Sequence, residues 1–469
     1  SDKWYLGISF FIIYLMTLKY NLNEDYGYYH LPYIINLISE KIIFGLSNLQ
    51  VNFAWNSSWL NFSAMLNLPF LGLKFTQLSN SILLFFVILM FLKKIFNKNL
   101  NKNNFSYFFI FLLSCYVIIK FSRIKEHGFD FPANIFFLIT IYYFIKIFED
   151  SKNKNFIILI LLSSLCITIK LTTFALSVIT ISAFYILLFK RNDIKLILPS
   201  LFFAILLIGM WLLQQTIYSG CIVAFLESTC FDFSWYNQNI SDAVSGATGA
   251  VNKSYGQYTG TLKPDEYVKN FNWVSTWYDR NKTELFEHFV AIFIPILLLA
   301  LFNLKRKNTK SINKTHVPNN FLLYSLFFTS IIGIVVWFFK SPVIRFGIPY
   351  LFLVIFLISF IIFKNFEIFN SKKLIKNCKI IIIIAILFNV SKNLNRIIEK
   401  DTRTYWPEIL NVKYSTNKKG KFIINYPNDE NDNYHQRRYC WSIPFICHMN
   451  KGINLSIQKK YNYLFIVEN

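Results

Sequence analysis

Acidic residues are scarce in this chain: 25 Asp and Glu stand against 48 Lys and Arg in 469 residues, a formal net charge of +23. Glycine is scarce as well, at 15 residues, and neither an internal repeat of fixed period nor a cleavable signal segment is evident. Few glycines and no repeat argue against a transporter assembled from inverted halves with broken helices. The excess of cations would suit nucleic acid if it formed one continuous face. It sits instead in short loops between apolar runs, so the expected partner is an anionic lipid leaflet and not nucleic acid. The sequence opens at Ser1 with an apolar run close behind, so a few leading residues are expected to be missing.

What is abundant is hydrophobic. A share of 54% apolar residues and a positive mean hydropathy, gathered into runs of roughly 16 to 20 residues, exceed the needs of a soluble core and mark a polytopic, all-α membrane protein. The expected spans are 4–18, 81–96, 105–121, 131–148, 155–169, 171–189, 197–217, 288–304, 320–339, 346–363 and 379–391, about eleven in all. Residues 33–75 are also apolar, but Asn48, Asn52, Asn56, Asn61, Asn67 and Pro69 interrupt them. They are expected as helices lying in the interface after the first span. With that choice, alternate loops collect Lys93 and Lys94, Lys152 and Lys154, Lys190 and Arg191, Lys305 and Arg306, and Lys372 and Lys373, which marks them as cytoplasmic.

The opposite side then receives residues 19–80, 122–130, 218–287 and all that follows 392. The expected division is a membrane domain over 1–391, with its exterior loop at 218–287, and a small exterior α/β domain over 392–469. The loop carries a Gly- and Ser-rich patch, Ser245-Gly246-Ala247-Thr248-Gly249, followed by aromatic clusters, a form that suits a lid. Of seven cysteines, Cys221 and Cys230 share this loop, and Cys440 and Cys447 share the tail. Each pair is a disulfide candidate on an oxidising side.

The ionisable residues left on the exterior side are few, and they stand at span ends. Asn23-Glu24-Asp25-Tyr26-Gly27-Tyr28-Tyr29-His30 leaves the first span. A carboxylate anchored there serves as a proton acceptor, as a metal ligand, or only as a solvated cap. In Lys125-Glu126-His127-Gly128-Phe129-Asp130 the two acids are one helical turn apart; Asp130 is either functional or an N-cap, and His127 reads as a polar surface residue. Lys170 and Arg345 follow at matching depth. Such cations either snorkel to the headgroups or clamp a lipid-linked phosphate.

These residues, in this order, resemble the GT-C superfamily of membrane glycosyltransferases, which includes protein mannosyltransferases and the aminoarabinose transferase acting on lipid A. The likeness runs over 4–363. Its anchors are Asp25 with Tyr29, the acidic loop ending at Asp130, Thr168-x-Lys170, and Trp211-Leu212-Leu213-Gln214-Gln215 leading to Gly220, similar to that group's Trp-Leu-x-Arg/Gln-Asn-x-x-x-x-Gly. Cys440-Trp441-Ser442-Ile443-Pro444-Phe445-Ile446-Cys447 looks like the tail signature of a poorly characterised bacterial branch.

The resemblance implies a polyprenyl-phosphate sugar donor, a glycan, lipid or protein acceptor, and an active site at the exterior face of a bacterial inner membrane, with the N-terminus cytoplasmic. It implies catalytic roles for Asp25, Glu24, Asp130 and Glu126, and substrate contacts for Lys170, Arg345, Tyr29 and His30. Many members carry a second acid directly after the first; here Tyr26 follows Asp25 and Glu24 precedes it. A divalent metal ion is therefore the one cofactor left open. A transporter or flippase of lipid-linked sugars, and a catalytically silent envelope scaffold, are the two alternative classes.

Overall fold

The structure, a computed structural model, describes residues 2–18, 25–96, 104–121, 124, 127–150, 152–191, 194–224, 226–303, 319–365, 372–399, 409–428, 439–452 and 454–468. Glu24 and Glu126 lie outside them. The helices are α1 (Asp2–Leu18), α2 (Leu31–Ser39), α3 (Ser58–Met65), α4 (Ser79–Phe96), α5 (Asn104–Lys120), α6 (Asp130–Asp150), α7 (Asn153–Ile169), α8 (Leu176–Ile186), α9 (Leu198–Ser219), α10 (Gln238–Gly249), α11 (Pro264–Val268), α12 (Val274–Asn303), α13 (Asn320–Lys340), α14 (Ile344–Asn365) and α15 (Lys372–Ile398). The strands are β1 (Ile43–Phe44), β2 (Tyr414–Lys419), β3 (Phe422–Pro427), β4 (Leu455–Lys460) and β5 (Tyr463–Glu468).

A helix stands at each place where an apolar run was expected to span, though not every one is long. Among the described residues, seven are long and apolar enough to cross a membrane: Leu73–Phe96, Asp130–Asp150, Leu198–Ser219, Val274–Phe302, Asn320–Lys340, Ile344–Phe363 and Leu374–Ile398. The apolar helices at 105–120, 153–169 and 176–189 are shorter. This is a polytopic helical protein with a small C-terminal sheet region. Helical runs are what an apolar solvent demands, because each backbone N–H and C=O is satisfied within its own segment. Exposed apolar side chains on α9 (Phe202, Phe203, Met210), α12 (Phe289, Phe293, Leu297) and α13 (Phe327, Phe328) face outward. On a helix in water such a surface would be a liability; against lipid it is not. Inside, α5 is buried along its length, with Phe108, Phe109 and Phe111 closed off from solvent.

Side-chain contacts fix which helix ends lie together. At one end, here the lower, Asp2 of α1 meets Lys93 of α4 at 3.2 Å, Ser106 of α5 donates to Glu149 of α6 at 2.6 Å, and Tyr185 of α8 stacks with Phe321 of α13. At the upper end, Asn80 of α4 donates to the Gly128 carbonyl at 3.1 Å, Asn134 of α6 donates to the Arg345 carbonyl at 2.8 Å, and Ser47 donates to the Tyr218 carbonyl at 2.8 Å. Long helices therefore alternate in direction along the chain.

Residues 31–72 form α2, the two-residue β1, α3 and short 3₁₀ turns, none long enough to span. Their asparagines are fasteners. Asn48 donates to the carbonyls of Trp235 (3.0 Å) and Ile466 (2.8 Å), and Asn61 donates to Gln214 at 2.7 Å. Asn56 and Trp211 exchange bonds, Asn56 Nδ2 to the Trp211 carbonyl at 3.0 Å and Trp211 Nε1 to the Asn56 carbonyl at 3.2 Å. The Trp211 to Gly220 motif thus pins this layer onto α9, and Gly220 ends that helix in the left-handed conformation at φ +80°.

Two boundaries differ from expectation. The span expected at 288 is the second half of α12, which begins at Val274, so the loop before it is shorter than 218–287. The last span runs from Lys372 to Ile398 instead of 379–391. Both helices carry charged residues on their extra turns, which exposure to water permits and a hydropathy pattern hides. The loop itself is built rather than slack: Trp277 donates to the Pro342 carbonyl, Tyr267 donates to the Lys253 carbonyl at 2.8 Å, and Val244, Tyr267 and Trp273 are buried. Both disulfides are formed, Cys221–Cys230 and Cys440–Cys447.

In the tail, the described residues from 409 onward hold strands and no helix: β2 pairs antiparallel with β3, and β4 with β5. β5 also pairs in parallel with β1, Ile43 opposite Leu464 and Phe44 opposite Phe465. Leu455, Leu464 and Ile466 belong to the same buried cluster as the helices.

Candidate functional site

Four ionisable side chains from distant points of the sequence meet at the upper end. Asp25 opens a π-helical turn, Tyr26–His30, that runs straight into α2. Such turns are uncommon and recur at functional sites. The turn lies against the tail: the Trp441 N–H donates to the Gly27 carbonyl at 3.0 Å, and a Cβ on Gly27 would stand 2.1 Å from the Trp441 ring. Gly27 is therefore required for close approach.

Asp130 is the first residue of α6, two places before Pro132, and its carboxylate is turned to cations. One oxygen is bonded by Lys170 Nζ, and the other lies 2.6 Å from Arg345 Nε. Lys170 sits at an extended break where α7 ends. Its N–H caps the Cys166 carbonyl at 2.9 Å, Ser57 donates to the Ile169 carbonyl at 2.9 Å, and Ser58 bonds Thr168 at 2.9 Å. Its ammonium lies 3.4 Å from the centroid of the Phe346 ring and 5.2 Å from that of Phe129. Arg345 is the second residue of α14, after a break at Ser341 and Pro342, and its Nη2 reaches Asp25 Oδ2 at 3.5 Å. The order across the site is Asp25, Arg345, Asp130, Lys170.

Exposure separates the two cations. The Lys170 side chain is 14% exposed and turned inward, so it does not snorkel, whereas that of Arg345 is 42% exposed. Burial pushes the Lys170 ammonium down to about 8 against the pull of Asp130. Burial likewise takes His30 down to about 3, with Arg345 and Lys170 adding to the effect and Asp130 opposing it, so its imidazole is neutral at physiological pH. His30 Nδ1 is buried without a hydrogen-bond partner among the described residues. Tyr29 packs on His30 at 4.3 Å between ring centroids. Burial, then Asp25 and Asp130, raise its phenol well above the ordinary range, so it remains a hydrogen-bond donor.

Asp25, Tyr29, His30, Asp130, Lys170 and Arg345 are thus brought together. His127 is not the surface residue expected. It is fully buried, bonded through Nε2 to Thr76 at 2.8 Å and stacked on Tyr26, because the π turn lays the Tyr26 ring against it, with Trp441 edge-on to that same ring. The cystines lie apart from the quartet in sequence, but Cys440–Cys447 closes the loop that carries Trp441.

The residues do not fit a metal centre. Asp130 is spent on two cations, Arg345 stands between it and Asp25, and no cluster of three His, Cys, Asp or Glu side chains occurs among the described residues.

One group of residues escaped the sequence reading. Glu284, on the exposed first half of α12, acts electrostatically on Arg345, and behind it His288 Nε2 lies 3.8 Å from Glu284 and His288 Nδ1 bonds Tyr116 at 2.9 Å. The four-residue spacing of Glu284 and His288 was the available signal, hidden by assigning both to a loop or a span edge.

Residues 1–352 match the family model described as "Domain of unknown function (DUF8201)". The chain belongs to that family. No curated protein and no solved structure matches it.

Proposed function

We propose that this DUF8201 member is a lipid-dependent glycosyltransferase with a GT-C-like core of about eleven spans, moving a sugar from a polyprenyl-phosphate donor to an acceptor hydroxyl. The chemistry takes place at the exterior face of a bacterial inner membrane. The long loop and the sheet region lie on that side, and the N-terminus lies in the cytoplasm. One observation carries this reading: the self-neutralised row Asp25, Arg345, Asp130, Lys170, held at the ends of apolar helices and away from the lysine-rich lower end.

The unequal contacts in that row support a division of labour. Arg345 holds Asp130 at 2.6 Å but Asp25 only at 3.5 Å, and its outer edge is open. A lipid phosphate arriving at that edge displaces Asp25 from the guanidinium and leaves it free to accept a proton. The acceptor oxygen loses its proton to Asp25 and attacks the anomeric carbon. The bond from that carbon to the phosphate oxygen breaks, and the electron pair departs on the phosphate, where Arg345 stabilises it. Lys170 acts from behind, fixing Asp130 and keeping the local field positive. Tyr29 and neutral His30 line the acceptor side.

Purified protein in lipid, offered a panel of polyprenyl-linked sugars, is expected to transfer one of them. Asp25→Asn is expected to lower kcat about 10²-fold or more with donor binding retained. Normal turnover by that variant removes the base assignment. Transbilayer movement of the labelled donor without chemical change would make the chain a transporter. Donor-phosphate affinity is also expected to weaken as pH rises through about 8, since Lys170 holds its proton below that value and loses it above. A titration flat from pH 7 to pH 9 would separate Lys170 from donor binding.

A further inference from the structure

The lower end of the bundle holds a second polar site that the proposed reaction does not use. The carboxyl ends of α4 and α6 and the amino end of α7 border a partly open cavity of about 100 Å³, lined by Lys94, Lys146, Lys154, Tyr142, Asp150 and Asn155 among others. Three ammonium groups therefore face one carboxylate. That carboxylate and its neighbour are already engaged. Lys146 Nζ lies 3.0 Å from Glu149 and 3.4 Å from Asp150; Glu149 also accepts from the Ser106 backbone N–H (3.0 Å) and hydroxyl (2.6 Å), and Asp150 accepts from the buried Asn155 amide. These bonds tie α5, α6 and α7 together and use up the negative charge.

Lys94 is left over. It is half-buried, it has no carboxylate within ion-pair distance among the described residues, and its Nζ stands 5.7 Å from the Tyr142 ring centroid. A partly desolvated ammonium without a counter-ion is costly unless an anion completes its surroundings. Lys93, next in sequence, points the other way and pairs with Asp2 at 3.2 Å, so the cavity selects one of two adjacent lysines. The space suits a compact head with several acceptor oxygens, and the walls are helix ends that border the apolar surface.

We infer that this cavity binds a phosphate group, with Lys94 and Lys154 as its direct contacts and Lys146 held beneath by Glu149 and Asp150. Two sources present that chemistry: the headgroup of an anionic phospholipid in the leaflet at this end, and free phosphate in solution. The headgroup places its acyl chains along the outer face of the helices while the phosphate enters between them.

The test uses the full-length protein in a neutral detergent, titrated separately with short-chain phosphatidic acid, with short-chain phosphatidylcholine and with inorganic phosphate, and read by native mass spectrometry and by thermal shift. Phosphatidic acid is expected to bind and to raise the unfolding temperature. Lys94→Gln is expected to weaken that binding about tenfold or more, Lys154→Gln to weaken it less, and Lys93→Gln to leave it unchanged. Inorganic phosphate binding as well, with the same dependence on Lys94, keeps the phosphate site and assigns it to a soluble source. Binding by neither anion, or binding indifferent to both Lys94→Gln and Lys154→Gln, overturns the inference. Lys154 stands on the exposed rim, so its variant reads the site even where Lys94→Gln fails to fold.

Discussion

Asp130→Ala is expected to destabilise the protein by about 3 kcal/mol and to abolish transfer. That magnitude is the low end of the ~3–5 kcal/mol for removing one partner of a buried ion pair, chosen because the Asp130 side chain keeps 26% of its surface exposed. The loss is large because a single carboxylate neutralises two cations, Lys170 on one oxygen and Arg345 on the other. Without it, Lys170 stays beneath the rings of Phe346 and Phe129 with no counter-charge in contact, and Arg345 retains only the long 3.5 Å contact to Asp25. Arg345 would turn toward Asp25 and quench the proposed base. Thermal unfolding in detergent, followed by tryptophan fluorescence, measures the first effect, and transfer from a lipid-linked donor the second. In the double variant Asp130→Ala with Lys170→Met, part of the stability is expected to return, because the uncompensated ammonium has gone, while activity does not. A single variant as stable as the parent would mean that the quartet is solvated and holds nothing together.

Trp441→Ala is expected to cost about 3–5 kcal/mol, the range for deleting a large buried aromatic ring, and to slow transfer as well. The ring is 1% exposed, stands edge-on to Tyr26, and covers Gly27 so closely that no Cβ fits. Gly27 lies two residues from Asp25 in the same turn, so emptying this space loosens the proposed base without touching substrate. Gly27→Ala creates the opposite fault, an overpacked contact worth about 1–3 kcal/mol. Combined, the two changes are expected to cost less than their sum, because the added methyl enters the space the indole vacates. Strict additivity, measured by denaturation of both single variants and the double, would show that ring and turn are not coupled.

The helices were legible because lipid leaves a coarse mark: a run of apolar residues long enough to cross is hard to mistake, and each expected run holds a helix. The cystines were legible for a different reason, since Cys221 and Cys230, like Cys440 and Cys447, lie close enough in sequence to meet with little chain between them. Features set by distant contacts were not legible. His127 lies in a polar stretch and looks exposed; its burial comes with Tyr26 and Thr76, distant in sequence. β1 has two residues, and its only signal is a partner more than four hundred positions away. Glu284 sits on a helical turn that stands in water, where the apolar pattern is silent, and His288, though buried, falls at the very edge of the expected span. The meeting of Asp25, Asp130, Lys170 and Arg345 was readable as a shared side, but not as a row with Arg345 in the middle, because order within a site depends on how helices tilt and pack.

The parallel pairing of Ile43–Phe44 with Leu464–Phe465 has a consequence for biogenesis. A ribosome delivers the first strand long before the second, and every intervening helix must be inserted in between. Through that interval Ile43 and Phe44 present an unmatched strand edge, with Asn48 still waiting for the Ile466 carbonyl. This part of the upper face can be locked only after β5 has been made, so a nascent chain halted before it leaves Ile43 and Phe44 without their strand partner and Asn48 without the Ile466 carbonyl.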